Sequence, residues 1–353
     1  METTPGSNFN LKYFFSVSPE EVDKIIQNME SYITRITIPK KDGTKRIVLA
    51  PSKDLKYIQK CLYYKFFKKY KSHDAAHGFV NKRGIVSNAI HHVGAKSLGT
   101  VDIKSFFDTI SEEHLQNVLF GNKNICKFCK NYERMVTKGC NPSLYHNKLQ
   151  NFPHMCEEIA AMFIPEYCIE TEYQPMFTRI IKICTYEGFT AQGFPTSPII
   201  ANIVLRGLDK ALEEKLTPLG ITYTRYADDL CMSSKTMNKD QLKAAAQNLI
   251  YKMLWAFKFQ PNKKKTMWKN NSSRLKVCGV VVNVKLAIQR RVVRKFRAKV
   301  HHITVKRKDT STRAEYRSAK GWASFLMSVS REKGRKYYDQ LVAFGKERGW
   351  EGG

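Results

Sequence analysis

Two neighbouring carboxylates carry the sharpest chemical signal in the chain. The stretch "YTRYADDLCMSS" (223–234) sets Asp228 and Asp229 among apolar and aromatic residues whose pattern reads as a buried hairpin. Adjacent carboxylates repel, and burying the pair without compensation is costly. A turn between two strands can hold them out in water; a divalent cation can instead share their charge. Mg²⁺ takes carboxylate and phosphate oxygens while keeping part of its water shell. Two such ions about 3.5–4 Å apart can activate an attacking hydroxyl and stabilise a departing pyrophosphate. That arrangement needs a third carboxylate from another strand. Asp102, at the end of the strand-like run in "GTVDIKSFFDTI" (99–110), is the best candidate, because Asp108 falls a helical turn or more beyond the strand end.

The elements that must hold these groups can be read around them. Residues 20–34 have a helical pattern. "ITIPKKDGTKRIVLAP" (36–51) predicts a β-hairpin turning at Asp42-Gly43 and decorated by Lys40, Lys41, Lys45 and Arg46. Helices are predicted over 52–70, with Leu55, Ile58, Leu62 and Phe66 sharing a side, and over 199–215. A further helix, capped by Asn238 with Gln241 three residues on, should bury Leu242, Ala246, Leu249 and Met253. "LKVCGVVVNV" (275–284) predicts a strand or a tight hairpin containing Gly279. Two basic helices follow, over about 286–303 and 313–347, the first striped by Val293, Phe296, Val300 and Ile303. Residues 121–175 are the least regular part, and no internal repeat or low-complexity segment occurs.

The whole chain sets bounds on its partners. Its 353 residues, 42% hydrophobic and 26% charged, suffice for two or three compact units. No apolar run approaches the roughly 20 residues of a membrane span. "METTPGSNFN" at the start has neither a basic opening nor an apolar segment, so no secretory signal is expected. Nine irregularly spaced cysteines suggest reduced thiols in a cytoplasmic protein. Sixty Lys and Arg against 31 Asp and Glu give a net charge of +29. Residues 251–353, with 27 basic and 6 acidic side chains, hold +21 of it. Such a field attracts a polyanion, and nucleic acid is the default partner. A membrane surface fits less well, because the basic residues are not confined to one short amphipathic helix.

Jointly and in this order, "VDIKSFFD" (101–108), "QGFPTSPIIANIV" (192–204) and "YADD" (226–229) resemble the three central palm motifs of reverse transcriptases. The resemblance implies an α+β, right-hand polymerase fold with fingers, palm and a small helical thumb. Its expected layout is an N-terminal helical region over 1–34, fingers over 35–98 and a first part of the palm over 99–120. A Cys-containing insertion and connection over 121–178 follows, then the remaining palm over 179–274 and a basic thumb and C-terminal RNA-binding region over 275–353. By the same resemblance, Asp102 and Asp228 bridge two Mg²⁺ ions, with Mn²⁺ able to substitute, and Asp229 completes the acidic cluster. Lys45 and Arg46 approach the incoming triphosphate. Phe107, five residues after Asp102, stands where such enzymes carry an aromatic gate against a ribose 2′-OH. Gln192 and Gly193 lie against the template–nucleotide pair, the glycine permitting close backbone approach. Lys265, in "PNKKKT", fits the fourth palm motif and is placed to assist the leaving pyrophosphate. Lys45 and Arg46 also have a plainer reading as solvent-facing charges and Phe107 as a core aromatic, and Lys265 is one of three consecutive lysines.

Within that superfamily the chain resembles bacterial retron reverse transcriptases. "NAIHH" (88–92), after "AHGFV" (76–80), matches their "NAxxH" element, and "VCG" (277–279) stands for their "VTG". "RAKVHHI" (297–303) and "GWASFLMSV" (321–329) resemble the retron thumb, and the likeness covers nearly all of 35–335. It implies an RNA-directed DNA polymerase that copies a cognate structured non-coding RNA from dNTPs. Priming comes from a guanosine 2′-OH, and the product is branched RNA-linked DNA (msDNA). It also implies a retron effector protein as partner in antiphage defence, and no membrane partner. Asn88, His92, Arg290, Arg291, Arg294 and Arg297 are the candidate RNA contacts. Two features depart from the pattern. Cys278 replaces the threonine of "VTG", and 121–175 is longer and more irregular than expected. The latter holds "CKFC", so Cys126 and Cys129 have a zinc-like spacing, with Cys140, His154 and Cys156 as further ligands. No second CxxC follows, and ordinary reduced cysteines are favoured over structural zinc. The alternatives are a group II intron-like or diversity-generating reverse transcriptase, and a non-catalytic RNA-binding scaffold on a palm fold.

Overall fold

Local capping and alternation account for most elements of this computed structural model, which describes residues 14–39, 43, 45–120 and 174–350. Helix α1 (Pro19–Gln27) opens on a capping box: Ser18 accepts from the Glu21 N–H, and Glu21 accepts in turn from the Ser18 N–H. Strands β1 (Ile33–Pro39) and β2 (Lys45–Pro51) pair antiparallel, with Ile36 opposite Val48 and Ile38 opposite Arg46. Helix α2 (Lys53–Lys65), capped by Ser52, buries Leu55, Ile58 and Leu62. Then come α3 (Ile85–Ile90), β3 (Ser97–Asp102), α4 (Phe106–Thr109), α5 (Glu112–Phe120), α6 (Gln174–Cys184) and α7 (Ser197–Leu216). Strands β4 (Thr222–Tyr226) and β5 (Asp229–Ser234) precede α8 (Lys239–Ala256), whose cap is the expected Asn238–Gln241 box. Strand β6 (Met267–Asn270) and the short β7 (Lys276–Val277) and β8 (Val280–Val281) lead to helices α9 (Arg290–His301), α10 (Arg313–Val329) and α11 (Arg331–Glu347).

The chain divides into two compact units. Among the described residues, the first comprises those within 1–80, 103–212 and 252–261. Aromatic rings from separate elements build its interior: Phe66 stands 5.9 Å from Phe14, 5.0 Å from Phe67 and 6.1 Å from Phe177. A two-pronged Arg179–Asp23 bond, 2.7 Å on each prong, ties α6 to α1. It holds the Asp23 carboxyl below its ordinary range.

The second unit comprises residues 81–102, 213–251 and 262–353. Its four-stranded antiparallel sheet has the order β4-β5-β3-β6. Strand β3 lies inside, covered along nearly its whole length, which is why "SLGTVD" carries no charge before Asp102. Gly99 admits the Trp268 indole across the β3–β6 pair; a Cβ there would stand 2.2 Å from the ring. One face of the sheet packs Leu98 and Cys231 against Ala89, Val277 and Val280. Helices α9, α10 and α11 enclose a core of Phe296, Val300, Tyr316, Leu326, Leu341 and Phe344.

The architecture is mixed α and β, as expected, but two local expectations change. Helix α8 buries Leu242, Ala246, Ile250 and Leu254, with Leu249 and Met253 only half-buried. An i, i+4 series drifts around the helix by about 40° per step, so over three turns the covered stripe leaves the expected positions. The 313–347 stretch is two helices, because Ser330 turns extended (φ −146°, ψ 96°). Gly334 then lets α11 return against α10; a Cβ there would lie 2.1 Å from the Met327 nitrogen. Among the described residues, no helix is long and apolar enough to cross a membrane.

Candidate active site

Strand register brings the carboxylates together. Asp102, the last residue of β3, lies directly opposite Asp229, the first of β5. Asp229 also pairs with Tyr226 across β4–β5, so Ala227 and Asp228 form a two-residue hairpin turn. Ala227 takes φ +56° in that turn, a conformation that glycine adopts more easily. Its carbonyl accepts a 3.0 Å bond from Nη1 of Arg225, which is fully buried. Arg225 was missed by sequence reasoning; the available signal was an arginine amid the apolar residues of a strand, two places before a turn.

Asp102 is 6% exposed, and both of its carboxylate oxygens are held. The Asn262 side-chain amide donates to Oδ2 at 2.9 Å, and the Lys265 ammonium reaches Oδ1 at 3.0 Å. Of the three consecutive lysines in "PNKKKT", the structure thus singles out Lys265. Asn262 was not singled out by the sequence, because 160 positions separate it from Asp102. The Asp229 carboxyl is pushed up to about 6, first by desolvation, then by the charges of Asp228 and Asp102, with Lys265 opposing. The Lys265 ammonium is stabilised in its charged form, chiefly by its bond to Asp102.

Behind the sheet, "NAIHH" and "VCG" meet. Cys278 and Gly279 both have positive φ (47° and 88°) in the β7–β8 turn, and Cys278 Sγ accepts from the Asn88 amide at 3.4 Å. His92 joins two strands of the sheet, with ring nitrogens 2.7 Å from Ser233 Oγ and 2.7 Å from Thr224 Oγ1. Asn88 and His92 are each 1% exposed. This corrects their reading as RNA contacts: a side chain closed off from solvent braces the sheet and offers nothing to an external strand. By contrast, Arg290, Arg291, Arg294 and Arg297 all lie exposed on α9, outside the stripe of its buried Phe296 and Val300.

Apart from Lys265, the residues expected at the nucleotide belong to the first unit. Lys45 and Arg46 are exposed at the start of β2. The Gln192 carbonyl accepts from the Leu49 N–H at 2.7 Å. Gly193, at φ +119°, packs so closely that a Cβ would stand 2.3 Å from the Leu49 oxygen. The close backbone approach expected of this glycine is therefore made to strand β2. Phe107 is half-buried on α4, its ring 6.3 Å from Phe79 and 5.1 Å from Phe106. Its carbonyl accepts from Thr190 Oγ1 at 2.8 Å. Asp108 is exposed on the same short helix. Cys126, Cys129, Cys140, His154 and Cys156 lie outside the described residues.

Among the described residues, no three His, Cys, Asp or Glu side chains form a ready-made metal cage. The donor set still fits a divalent cation. The like charges of Asp228 and Asp102 help raise Asp229, and an ammonium already sits on Asp102.

Comparison with known proteins agrees with this geometry. The family profile for reverse transcriptase (RNA-dependent DNA polymerase) matches residues 150–282. The retron Ec86 reverse transcriptase of Escherichia coli is 26% identical over 336 residues, covering 94% of this chain and 88% of that protein. The retron Mx162 reverse transcriptase of Myxococcus xanthus is 28% identical over 319 residues, and the chain spans 59% of its length. The retron Ec73 reverse transcriptase of E. coli is 33% identical over 212 residues, 58% of this chain and 54% of that protein. An acidic cluster on adjoining strands, motifs in palm order and relatives along nearly the whole chain lead to one conclusion: the protein is a reverse transcriptase, an RNA-directed DNA polymerase, and belongs with the retron enzymes.

Proposed function

We propose that this reverse transcriptase copies a cognate structured non-coding RNA into DNA, starting from a guanosine 2′-OH of that RNA, and so produces branched RNA-linked DNA. The observation that carries this reading is the β3–β5 register, with Asp102 opposite Asp229 and Asp228 one residue away, in a chain whose relatives are named retron reverse transcriptases. An effector protein and antiphage defence complete the proposed setting.

In this reading 35–98 serves as fingers, 99–120 and 179–274 as palm, and 275–353 as a thumb that grips RNA. Asp102, Asp228 and Asp229 would hold two Mg²⁺ ions. When bound, the ions supply activation of the attacking hydroxyl and charge stabilisation at the departing pyrophosphate. Lys45 and Arg46 neutralise the triphosphate. Phe107 excludes a ribose 2′-OH, Gln192 and Gly193 support the nascent pair, and Lys265 offers its ammonium to pyrophosphate. The exposed arginines of α9 engage RNA phosphates and 2′-OH groups. The cytoplasm is the proposed location.

The test is expression with native flanking DNA, purification without nuclease, and separate RNase and DNase digestion of the bound nucleic acid. The reading predicts a discrete short DNA that keeps an RNase-resistant 2′-linked nucleotide. Bound RNA without such DNA, even after addition of dNTPs and Mg²⁺, would contradict it.

A further inference from the structure

Asp102 is gripped by one short segment in two physically different ways. Asn262 is a fixed prong. Its backbone N–H donates to the Asp102 carbonyl at 2.7 Å and its side-chain amide to Oδ2 at 2.9 Å. The segment is itself pinned: the Asn262 carbonyl accepts from the backbone N–H groups of Lys265 and Thr266 and from the Thr266 hydroxyl, each at 3.1 Å. Tyr251 then donates to that hydroxyl at 3.3 Å. Lys265 is a loose prong. Its side chain is 65% exposed and ends in an ammonium 3.0 Å from Oδ1, within the field of Asp228 and Asp229. A flexible four-carbon stem lets that charge leave at little cost, whereas the Asn262 amide sits on a short side chain whose backbone is bonded both to Asp102 and within the turn.

We propose that residues 262–265 form a two-pronged clamp in which Asn262 is a positioning residue for Asp102 and Lys265 is a resident counter-ion that a divalent cation displaces. The clamp rests on the reading of Asp102 as a metal ligand. Two cations compete for Oδ1, because they repel each other and seek the same lone pairs. While the ion is absent, Lys265 limits the repulsion between Asp102 and its acidic neighbours. When the ion arrives, the freed ammonium is available to the triphosphate. Asn262 keeps Oδ2 oriented throughout, since it carries no charge and gains nothing from leaving. Neighbouring residues on one carboxylate therefore have opposite effects on metal affinity, a pattern that a purely structural role for both does not produce.

The test is Mn²⁺ titration of the full chain, freed of nucleic acid and without nucleotide, followed by the electron paramagnetic resonance signal of free Mn²⁺. Wild type, Lys265→Gln, Asn262→Ala and Asp102→Asn are compared after thermal melts check folding. Lys265→Gln should bind Mn²⁺ about 2–5-fold more tightly, the scale of a solvent-exposed ion pair. Asn262→Ala should bind about tenfold more weakly, the scale of a hydrogen bond to a charged group, with excess metal restoring occupancy. Unchanged or weaker binding by Lys265→Gln overturns the clamp, as does wild-type affinity in Asn262→Ala. Should Asn262→Ala fail to fold, Lys265→Gln, altered only at an exposed side chain, decides alone. If Asp102→Asn binds Mn²⁺ like wild type, Asp102 is no metal ligand and the underlying reading falls as well. If Asp102→Asn loses the ion while Lys265→Gln fails to tighten, only the clamp falls.

Discussion

Asp229 titrates near 6 because protein surrounds its carboxyl and two further carboxylates stand beside it. Raising a carboxyl above its unfolded value makes the folded chain bind the proton first. That gain is present at low pH and is lost as pH rises through about 6. Metal-free wild type should therefore gain thermal stability from this group as pH is lowered from 8 toward 5, and Asp229→Asn should lack that component. At pH 8 the variant should melt about 2–4 °C higher than wild type, the size of roughly 1 kcal/mol, while losing DNA synthesis. Equal melting profiles in the two proteins would argue against the crowding. Phe107 raises a question of selectivity. Removing the ring in Phe107→Ala should raise ribonucleotide incorporation relative to deoxynucleotide about tenfold, measured as a ratio of kcat/KM values; an unchanged ratio would remove Phe107 from the gate. The doubled aspartate and its strand-end partner were legible from residue type and from their places in apolar, strand-like runs. Asn262 and Arg225 were not, because each owes its role to a contact that only the folded chain creates.

Pairing register is the deciding property at the level of elements. A one-residue slip of β5 against β3 would turn Asp229 to the other face of the sheet and part it from Asp102. His92 resists such a slip by bonding Ser233 on β5 and Thr224 on β4. His92→Phe keeps the ring volume but leaves two buried hydroxyls without these bonds. A loss of about 2–4 kcal/mol in denaturant unfolding is expected, with RNA affinity of the folded protein unchanged. If the variant instead kept its stability and lost RNA affinity, His92 would return to the RNA interface. The hairpins at 36–51 and 223–234 were readable from turn residues and apolar alternation, as was the cap at Asn238. The burial of Asn88 and His92 within "NAIHH" was not, since a histidine beside exposed residues looks alike whether it faces solvent or a sheet. Gly193 gave a half-legible signal. Its need for close backbone approach was evident, but its neighbour, the Leu49 carbonyl, came from a strand far away in sequence.

Charge is a property of the whole molecule, and +21 of the net +29 falls in residues 251–353. Part of that excess is exposed on α9, away from its apolar core. Replacing Arg290, Arg291, Arg294 and Arg297 together by Gln should leave folding nearly unchanged and weaken RNA binding. The slope of log affinity against log salt should shrink in magnitude by up to about 3–4, since each lost phosphate contact removes roughly 0.7–0.9. An unaltered slope would move the RNA interface elsewhere. The basic C-terminal region was legible in composition, and its helical stripe in periodicity. Its break at Ser330 was hidden, because apolar and basic residues continue in helical spacing on both sides of it.

The central claim is that Asp102, Asp228 and Asp229 together perform RNA-templated DNA synthesis. Its most direct test is single-turnover extension of a primer on an RNA template with dNTPs and Mg²⁺, comparing wild type with the Asp228→Asn, Asp229→Asn double variant and measuring RNA affinity in parallel. The predicted result is at least a hundredfold loss of extension rate, roughly the scale of removing charge stabilisation from a reacting centre, with RNA affinity retained. Extension at a near wild-type rate in the double variant would contradict the account.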